Sequence, residues 1–439
     1  MPKLTVVCED AMKRTCVQMH YGKSMIDIEV PEDRVVGVAD LNRVEGVENE
    51  GAEIERALDN PICHGDFSSW KKKEKRTVVV VDDNTRPTPV HKVLPILLNR
   101  LNDAGIADRD ISVLIALGTH RTMNDYEVKE KVGEETLRRV SVSNHHWKQK
   151  EMFRDLGKTP TGIPLFVDRT YLDASIRIGV GHIVPHCQAG WTGGAKIVQP
   201  GVCGAETTDY THWLSARFDV RRLLGVVENP VRLEIERIVS HIGLDFIVNL
   251  VLNDKREIVN AVSGDFVAAH REGVKKAKKI FGVEVSTLAD VVVCESYPIT
   301  YGIDLWQAGK AIIAAYLAVK KGGTIILLSP CVEGVSREHP ELSKFGHRRY
   351  DEIQNLVETG SMKDVNAAAT SAQIGQILAD KVKVFLYSDS ISRKETEQIG
   401  FEHADDVQDV VDRSLEIHGS NSKILFLKNA CEILPITPL

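Results

Sequence analysis

Unbroken apolar runs alternate with helical stripes along this chain. Val78-Val79-Val80-Val81 is a continuous β-branched run, which suits a strand buried on both faces of a parallel sheet. It stops at Asp82-Asp83-Asn84-Thr85-Arg86-Pro87-Thr88-Pro89. Val93, Leu94, Leu97, Leu98 and Leu101 then share one helix face. Residues 111–117 form the next strand-like run, ended by Gly118-Thr119-His120-Arg121, and Asn124-Asp125-Tyr126-Glu127 has the form of a helix start. A further strand, 176–180, leads into Gly181-His182-Ile183-Val184-Pro185-His186. Upstream, residues 26–30 alternate with period two and Val35-Val36-Gly37-Val38 is a short β-branched run, so the first seventy residues read as strands and turns. The basic run 71–76 reads as a solvated lead-in to the next strand.

The stretch 210–282 is mixed and rich in charge. A second unit starts near Ala289, with a strand at 291–294, a helix over 306–319 closed by Lys320-Lys321-Gly322-Gly323, and strands at 324–328 and 382–387. The pattern predicts an α/β fold: two α/β domains with mainly parallel sheets and an active site in the cleft between them. The boundary is placed within 281–288. Residues 1–282 form the first domain, and 283–439 form a Rossmann-like second domain that closes the cleft. The last strand, 423–427, either returns to the first domain or completes the second. Ligands of such sheets bind at the carboxyl ends of strands, where both polar loops fall.

Composition narrows the function. The chain has 439 residues, 43% hydrophobic and 27% charged, an ordinary globular balance that excludes disorder as the main state. Lys plus Arg number 55 and Asp plus Glu 62, so no basic nucleic-acid footprint exists. No apolar stretch is long enough to span a bilayer, and no signal-peptide pattern opens the chain, so a cytoplasmic location is expected. The eight cysteines form no CxxC pair, which argues against a cysteine zinc site or a disulfide framework.

Four segments could carry chemistry. Two prolines stiffen the loop that holds Asp83, Thr85 and Arg86, so Arg86 is a fixed fork for a carboxylate or phosphate; a surface ion pair at a strand end would explain it equally. His120, after a buried strand, suits proton transfer or a structural role. The richest region holds His182, His186, Lys196 and His212, with Gly190, Gly193, Gly194 and Gly201 allowing close backbone approach. Gly193-Gly194-Ala195-Lys196 is like the end of a phosphate loop, but Ile197 stands where Ser or Thr should be, so a triphosphatase is disfavoured. Lys196 could instead be a covalent attachment point. Finally, Gln307 and Lys310 share a face at a helix start, a natural anion site or a solvated helix end.

Together, DDNTRPTP (82–89), GTHR (118–121), PHCQAGWTGGAKIVQPG (185–201), His212 and DLWQAGK (304–310) are similar to the segments of the nickel-pincer lactate racemase family, in order and spacing across most of the chain. The resemblance implies a nickel pincer nucleotide (a pyridinium mononucleotide with two thio-acyl arms) tethered at Lys196, with His212 as the protein ligand to nickel. It implies His120 and His186 as general acid and base. Arg86, Gln307, Lys310 and Trp306 would hold the substrate, with Asp83, Thr85, Gly190, Gly193 and Gly194 around the cofactor. The implied activity is racemisation or 2-epimerisation of a 2-hydroxy acid, and the implied partners are that small molecule and the proteins that make the cofactor. The sequence departs from lactate-active members at Gln373, which stands where they carry a tryptophan; this predicts a larger or more polar substrate than lactate. Two other readings are open to the same residues: a zinc-dependent hydrolase using His120, His186 and His212, and a non-catalytic nucleotide carrier.

Overall fold

The computed structural model describes residues 13–65 and 76–438; residues 71–75 of the expected basic lead-in lie outside them. Two six-stranded sheets organise the chain. In the first, the strands run in the order Ile258–Gly264, Phe246–Leu252, Ile176–His182, Thr77–Asp82, Ile111–Ala116 and Ser141–Asn144. All neighbours are parallel except the first two, which form an antiparallel pair. Thr77–Asp82 is central, and its valines are fully buried. Val79 and Val81 pack into one core, with the stripe Val93, Leu94, Leu97, Leu98 and Leu101 of helix Val90–Asp103. Val78 and Val80 pack into the core on the other face. A strand covered on both faces needs no polar alternation, which is why the run is continuous.

The second sheet is parallel throughout, in the order Glu402–His403, Lys383–Tyr387, Val319–Leu328, Ala289–Glu295, Ile424–Leu427 and Val35–Ala39. The strand near the C-terminus thus lies inside the second sheet. The outermost strand comes from the beginning of the chain, so residues 1–282 do not form one body by themselves. The hairpin Arg14–Tyr21 and Ser24–Pro31 also packs there, because Val17, Met19, Ile28 and Val30 find their apolar cover on Val291, Val293, Ile326 and Leu328. Gly282–Glu284, beside the expected boundary, pairs with Leu434–Ile436.

Other differences have local causes. The first sixty residues are not all strands and turns: Glu50–Asp59 is a helix, capped by Asn49, with Ile54, Ala57 and Leu58 on its buried face. The helix expected over 306–319 is Leu305–Tyr316, and Lys320 to Gly323 do not close it; they lie inside strand Val319–Leu328, where Val319 already pairs with Ala289. The mixed stretch 210–282 contributes two strands and the helices Pro230–Ile242 and Ala268–Phe281 to the first domain. Asn124 caps helix Asp125–Val132 in a capping box with Glu127. No helix among the described residues is long and apolar enough to cross a membrane.

Candidate active site

In the first sheet the chain leaves strand Thr77–Asp82 toward one side and Ile176–His182 toward the other, so their carboxyl ends flank a crevice. At the first end, Asp83 is buried and organises its loop. Its Oδ1 accepts from the Thr85 backbone N–H at 3.1 Å and from the Thr85 hydroxyl at 2.5 Å. Its Oδ2 lies 2.6 Å from His120 Nδ1. A carboxylate there fixes the His120 proton on Nδ1 and leaves a lone pair on Nε2. Gln307 Nε2, from the second domain, donates to that Nε2 at 3.3 Å, which agrees with this tautomer. Burial lowers the His120 pKa, opposed by Asp83 and helped by the charges of Arg86 and Lys310. Burial would raise the Asp83 pKa, but His120, Arg86 and the Thr85 hydroxyl hold it below the usual carboxylate range. Thr85 acts as a brace: its hydroxyl also accepts from Arg86 Nη1 at 2.9 Å.

At the second end stand His182 and His186. His182 Nδ1 lies 2.8 Å from the Thr88 hydroxyl, which itself donates to Asp82. That leaves His182 Nε2 buried in the cavity wall with no partner. His186 is the reverse case: its Nδ1 accepts the backbone N–H groups of Gln188 and Ala189, both at 3.2 Å. Burial and the charges of Lys196, Lys310, Arg86 and His212 push its pKa well below the ordinary value. Sequence reasoning noted His182 only as part of a cluster and missed its Asp82–Thr88 support, for which adjacent aspartates at a strand end are the available signal.

The glycine-rich loop is shaped by protein packing. A Cβ on Gly190 would fall 2.0 Å from Val226 O, and one on Gly194 would fall 3.0 Å from the His270 ring. Neither residue is part of the cavity lining; Gly193 is, and a Cβ there would meet Asn249 Oδ1 at 2.6 Å. Arg232, fully buried, holds the loop from below, donating to the carbonyls of Ala189, Gly193 and Trp191. Asn249 Oδ1 accepts the Gly194 N–H at 2.8 Å, so that amide is not available to a phosphate. The loop then turns through the short 3₁₀ segment Gly194–Ile197 and presents Lys196 to the cavity. Burial, with Arg86, Lys310 and Arg232 nearby, drives the Lys196 pKa well below that of a free amine. His212, on helix Ala205–Ser215, has Nδ1 3.0 Å from Thr208 O, so it donates there and keeps Nε2 as a lone pair. Its pKa is lowered to about 4, chiefly by burial.

The second domain supplies the facing wall. Asp304 caps helix Leu305–Tyr316 by accepting from the Gln307 N–H at 2.9 Å, which fixes Trp306, Gln307 and Lys310 at its first turns. Lys310 donates to Gln307 Oε1 and so aims the Gln307 amide N–H at His120. Trp306 stacks on His339 at 4.1 Å. Gln373, on helix Val365–Ala379, meets Gln188 of the first domain at 3.3 Å.

One cavity, partly open to solvent, is lined by Asp83, Arg86, His120, His182, His186, Lys196, His212, Trp306, Gln307, Lys310 and Gln373. Of the expected site residues, Thr85, Gly190 and Gly194 stand behind this lining. Among the described residues Arg86, Lys196 and Lys310 have no carboxylate partner within ion-pair distance, so Arg86 and protonated Lys310 can receive an anion. No three of the described His, Cys, Asp and Glu side chains converge to hold a metal ion, so His120, His186 and His212 do not form the protein site a zinc hydrolase needs.

Two α/β domains meeting over a cationic cleft with paired imidazoles define the class. Residues 21–221 match the lactate racemase N-terminal domain and residues 283–434 the lactate racemase C-terminal domain. The chain is 26% identical over 423 residues to the lactate racemase of Thermoanaerobacterium thermosaccharolyticum, covering 95% of this chain and 98% of that one. It is 25% identical over 431 residues to the lactate racemase of Lactiplantibacillus plantarum, covering 95% and 99%. The lactate racemase apoprotein structure from T. thermosaccharolyticum superposes with a TM-score of 0.85 at 25% identity, covering 96% of this chain and all of that one. A Thermotoga maritima protein shares the fold with a TM-score of 0.70 at 22% identity, covering 90% of this chain and all of that one. The chain belongs to the lactate racemase family.

Proposed function

We propose that this protein racemises or 2-epimerises a 2-hydroxy acid with a nickel pincer nucleotide tethered to Lys196. The observation that carries the reading is the convergence, in one cavity, of two differently held imidazoles, a lysine on a fixed loop, and Arg86 and Lys310, none of these three in an ion pair with a carboxylate. The residues present fit such a group. Lys196 is enclosed, without a carboxylate partner and held toward its nucleophilic neutral form, and His212 offers a neutral Nε2. When bound, the group would supply a reversible acceptor for the hydrogen on the substrate's C2.

The chain's own residues account for the rest. Arg86 and Lys310 hold the carboxylate, and the planar keto acid formed in between, against escape. His120 Nε2 takes the hydroxyl proton, its ring fixed by Asp83 and Gln307. The second enantiomer presents its hydroxyl on the other side, so a second polar hydrogen-bond partner is required, and His186, whose Nδ1 accepts two backbone N–H groups and whose Nε2 therefore carries the ring proton, is that partner. Lys196, Lys310 and Arg86 hold the His186 pKa down. Gln373, replacing an apolar wall, favours a substrate larger or more polar than lactate.

The test is to produce the protein with the pincer-synthesis proteins and incubate it with enantiopure 2-hydroxy acids. Loss of optical purity, abolished by Lys196→Ala and by His120→Ala, is expected. Unchanged optical purity across a broad panel, in protein carrying both adduct and nickel, would overturn the reading in favour of a carrier.

A further inference from the structure

The cavity has a wall that the proton and carboxylate chemistry leaves unused. Thr370, Gln373 and Ile374 of helix Val365–Ala379 line it from the second domain, with Gln188 opposite and Ile313 beside them. Gln188 Nε2 donates to Gln373 Oε1 at 3.3 Å, which turns the Gln373 amide so that its Nε2 is the free end. Gln373 is 1% exposed, and that Nε2 is buried with no hydrogen-bond partner. A buried N–H group without an acceptor is costly, and in a cavity wall it points to an acceptor brought by the ligand.

The wall is rigid. Gln376, one residue short of a turn further on, donates to Ala216 O of the first domain at 2.9 Å. Ser371 donates to Gly346 O, and Gly375 packs so close to the Arg348 backbone that a Cβ would fall 1.7 Å from its carbonyl oxygen. The helix that carries Gln373 is therefore fixed in place, and the Gln188 hydrogen bond sets its amide.

The surroundings decide which acceptor fits. Arg86, Lys196 and Lys310 are engaged in holding the carboxylate and the cofactor, and the wall offers amides, a hydroxyl and aliphatic carbon but no charge of its own. A second carboxylate there would be desolvated without a counter-charge. A hydroxyl can accept from Gln373 and needs no such partner. We infer that Gln373, braced by Gln188, reads a hydroxyl on the carbon chain beyond C2. The substrate class is then the polyhydroxylated 2-hydroxy acids, and the reaction is a 2-epimerisation between diastereomers. This rests on the racemase reading above.

The test uses the holoenzyme and three acids: lactate, malate and a four-carbon 2,3,4-trihydroxy acid, followed by proton NMR and chiral chromatography. The trihydroxy acid is expected to exceed both others in kcat/KM by about tenfold or more, the scale of one well-placed hydrogen bond. Gln373→Leu, and the closer-shaped Gln373→Met, are expected to bring the trihydroxy-to-lactate ratio to about one; Gln188→Ala is expected to raise KM for the trihydroxy acid more than it lowers kcat. Equal or better turnover of lactate or malate, or an equal loss on all three acids in both Gln373 variants, would overturn the assignment. Calorimetric binding of the same acids separates the two claims. If none is turned over, the racemase reading fails, while a binding preference for the trihydroxy acid lost in Gln373→Met still upholds the wall; indifferent binding overturns it.

Discussion

Asp83→Asn separates the account's tautomer argument from simple charge loss. Asp83 Oδ2 lies 2.6 Å from His120 Nδ1, and its side chain is 3% exposed, so solvent does not weaken the bond. A hydrogen bond to a charged group contributes a net of about 1.5–3 kcal/mol, or roughly 10- to 150-fold in an equilibrium or rate. The amide adds a second effect. Its oxygen is retained by the Thr85 N–H and hydroxyl, so its NH2 faces Nδ1. Nδ1 must then accept, the ring proton moves to Nε2, and the base loses its lone pair. That proton also meets the Gln307 NH2, which Lys310 holds in place. The expected fall in kcat is therefore at the upper end, about 10²-fold or more, with KM changed far less. The assay pairs racemisation kinetics of the holoenzyme with imidazole nitrogen NMR of the free protein, where the His120 Nε2 signal should change from unprotonated to protonated character. A kcat within about threefold of the parent, with an unchanged tautomer, would refute the reasoning.

Three other outcomes follow from buried groups. Arg232→Met leaves the Ala189, Trp191 and Gly193 carbonyls without their donor, so thermal unfolding should show a loss of about 3 kcal/mol or more, together with poorer cofactor loading at Lys196. Burial and Arg86 lower Lys310 to about 7, so the cation is lost as pH rises through that value; KM should climb about tenfold per pH unit above it, and Lys310→Arg should flatten the rise. Both ring nitrogens of His347 are buried without partners, and burial lowers its pKa from 6.5 to about 3. The unfolded chain therefore binds the proton first, and stability falls as pH drops across that window. His347→Leu should raise the melting temperature and flatten the acid limb, and a steeper limb in the variant would contradict this.

Much of the frame is written locally. The valine run 78–81 and the leucine stripe 93–101 each announce their element, and polar loops after strands in a parallel sheet are where a site must lie. The motifs therefore brought Arg86, His120, His186, Lys196, His212, Gln307 and Lys310 to one cavity. What escaped is what depends on distant partners. Val35–Ala39 reads as a strand, but its membership of the second sheet depends on Ile424–Leu427, nearly the whole chain away. Arg232 looks like an ordinary helix residue until the carbonyls of the 189–193 loop are placed above it. Gly190 and Gly194 read as ligand contacts because glycine signals close approach without naming what approaches; here it is Val226 and His270. Phe246–Leu252, by contrast, is an apolar run that was legible and overlooked among the charges around it.

The tether is the central claim, and one measurement tests it most directly: the intact mass of the protein produced together with the pincer-synthesis proteins, with nickel analysis on the same sample. The account predicts an adduct of several hundred daltons, about the size of a modified mononucleotide, mapping to Lys196 and accompanied by nickel, and absent in Lys196→Ala. An unmodified mass with stoichiometric zinc and no nickel would contradict it.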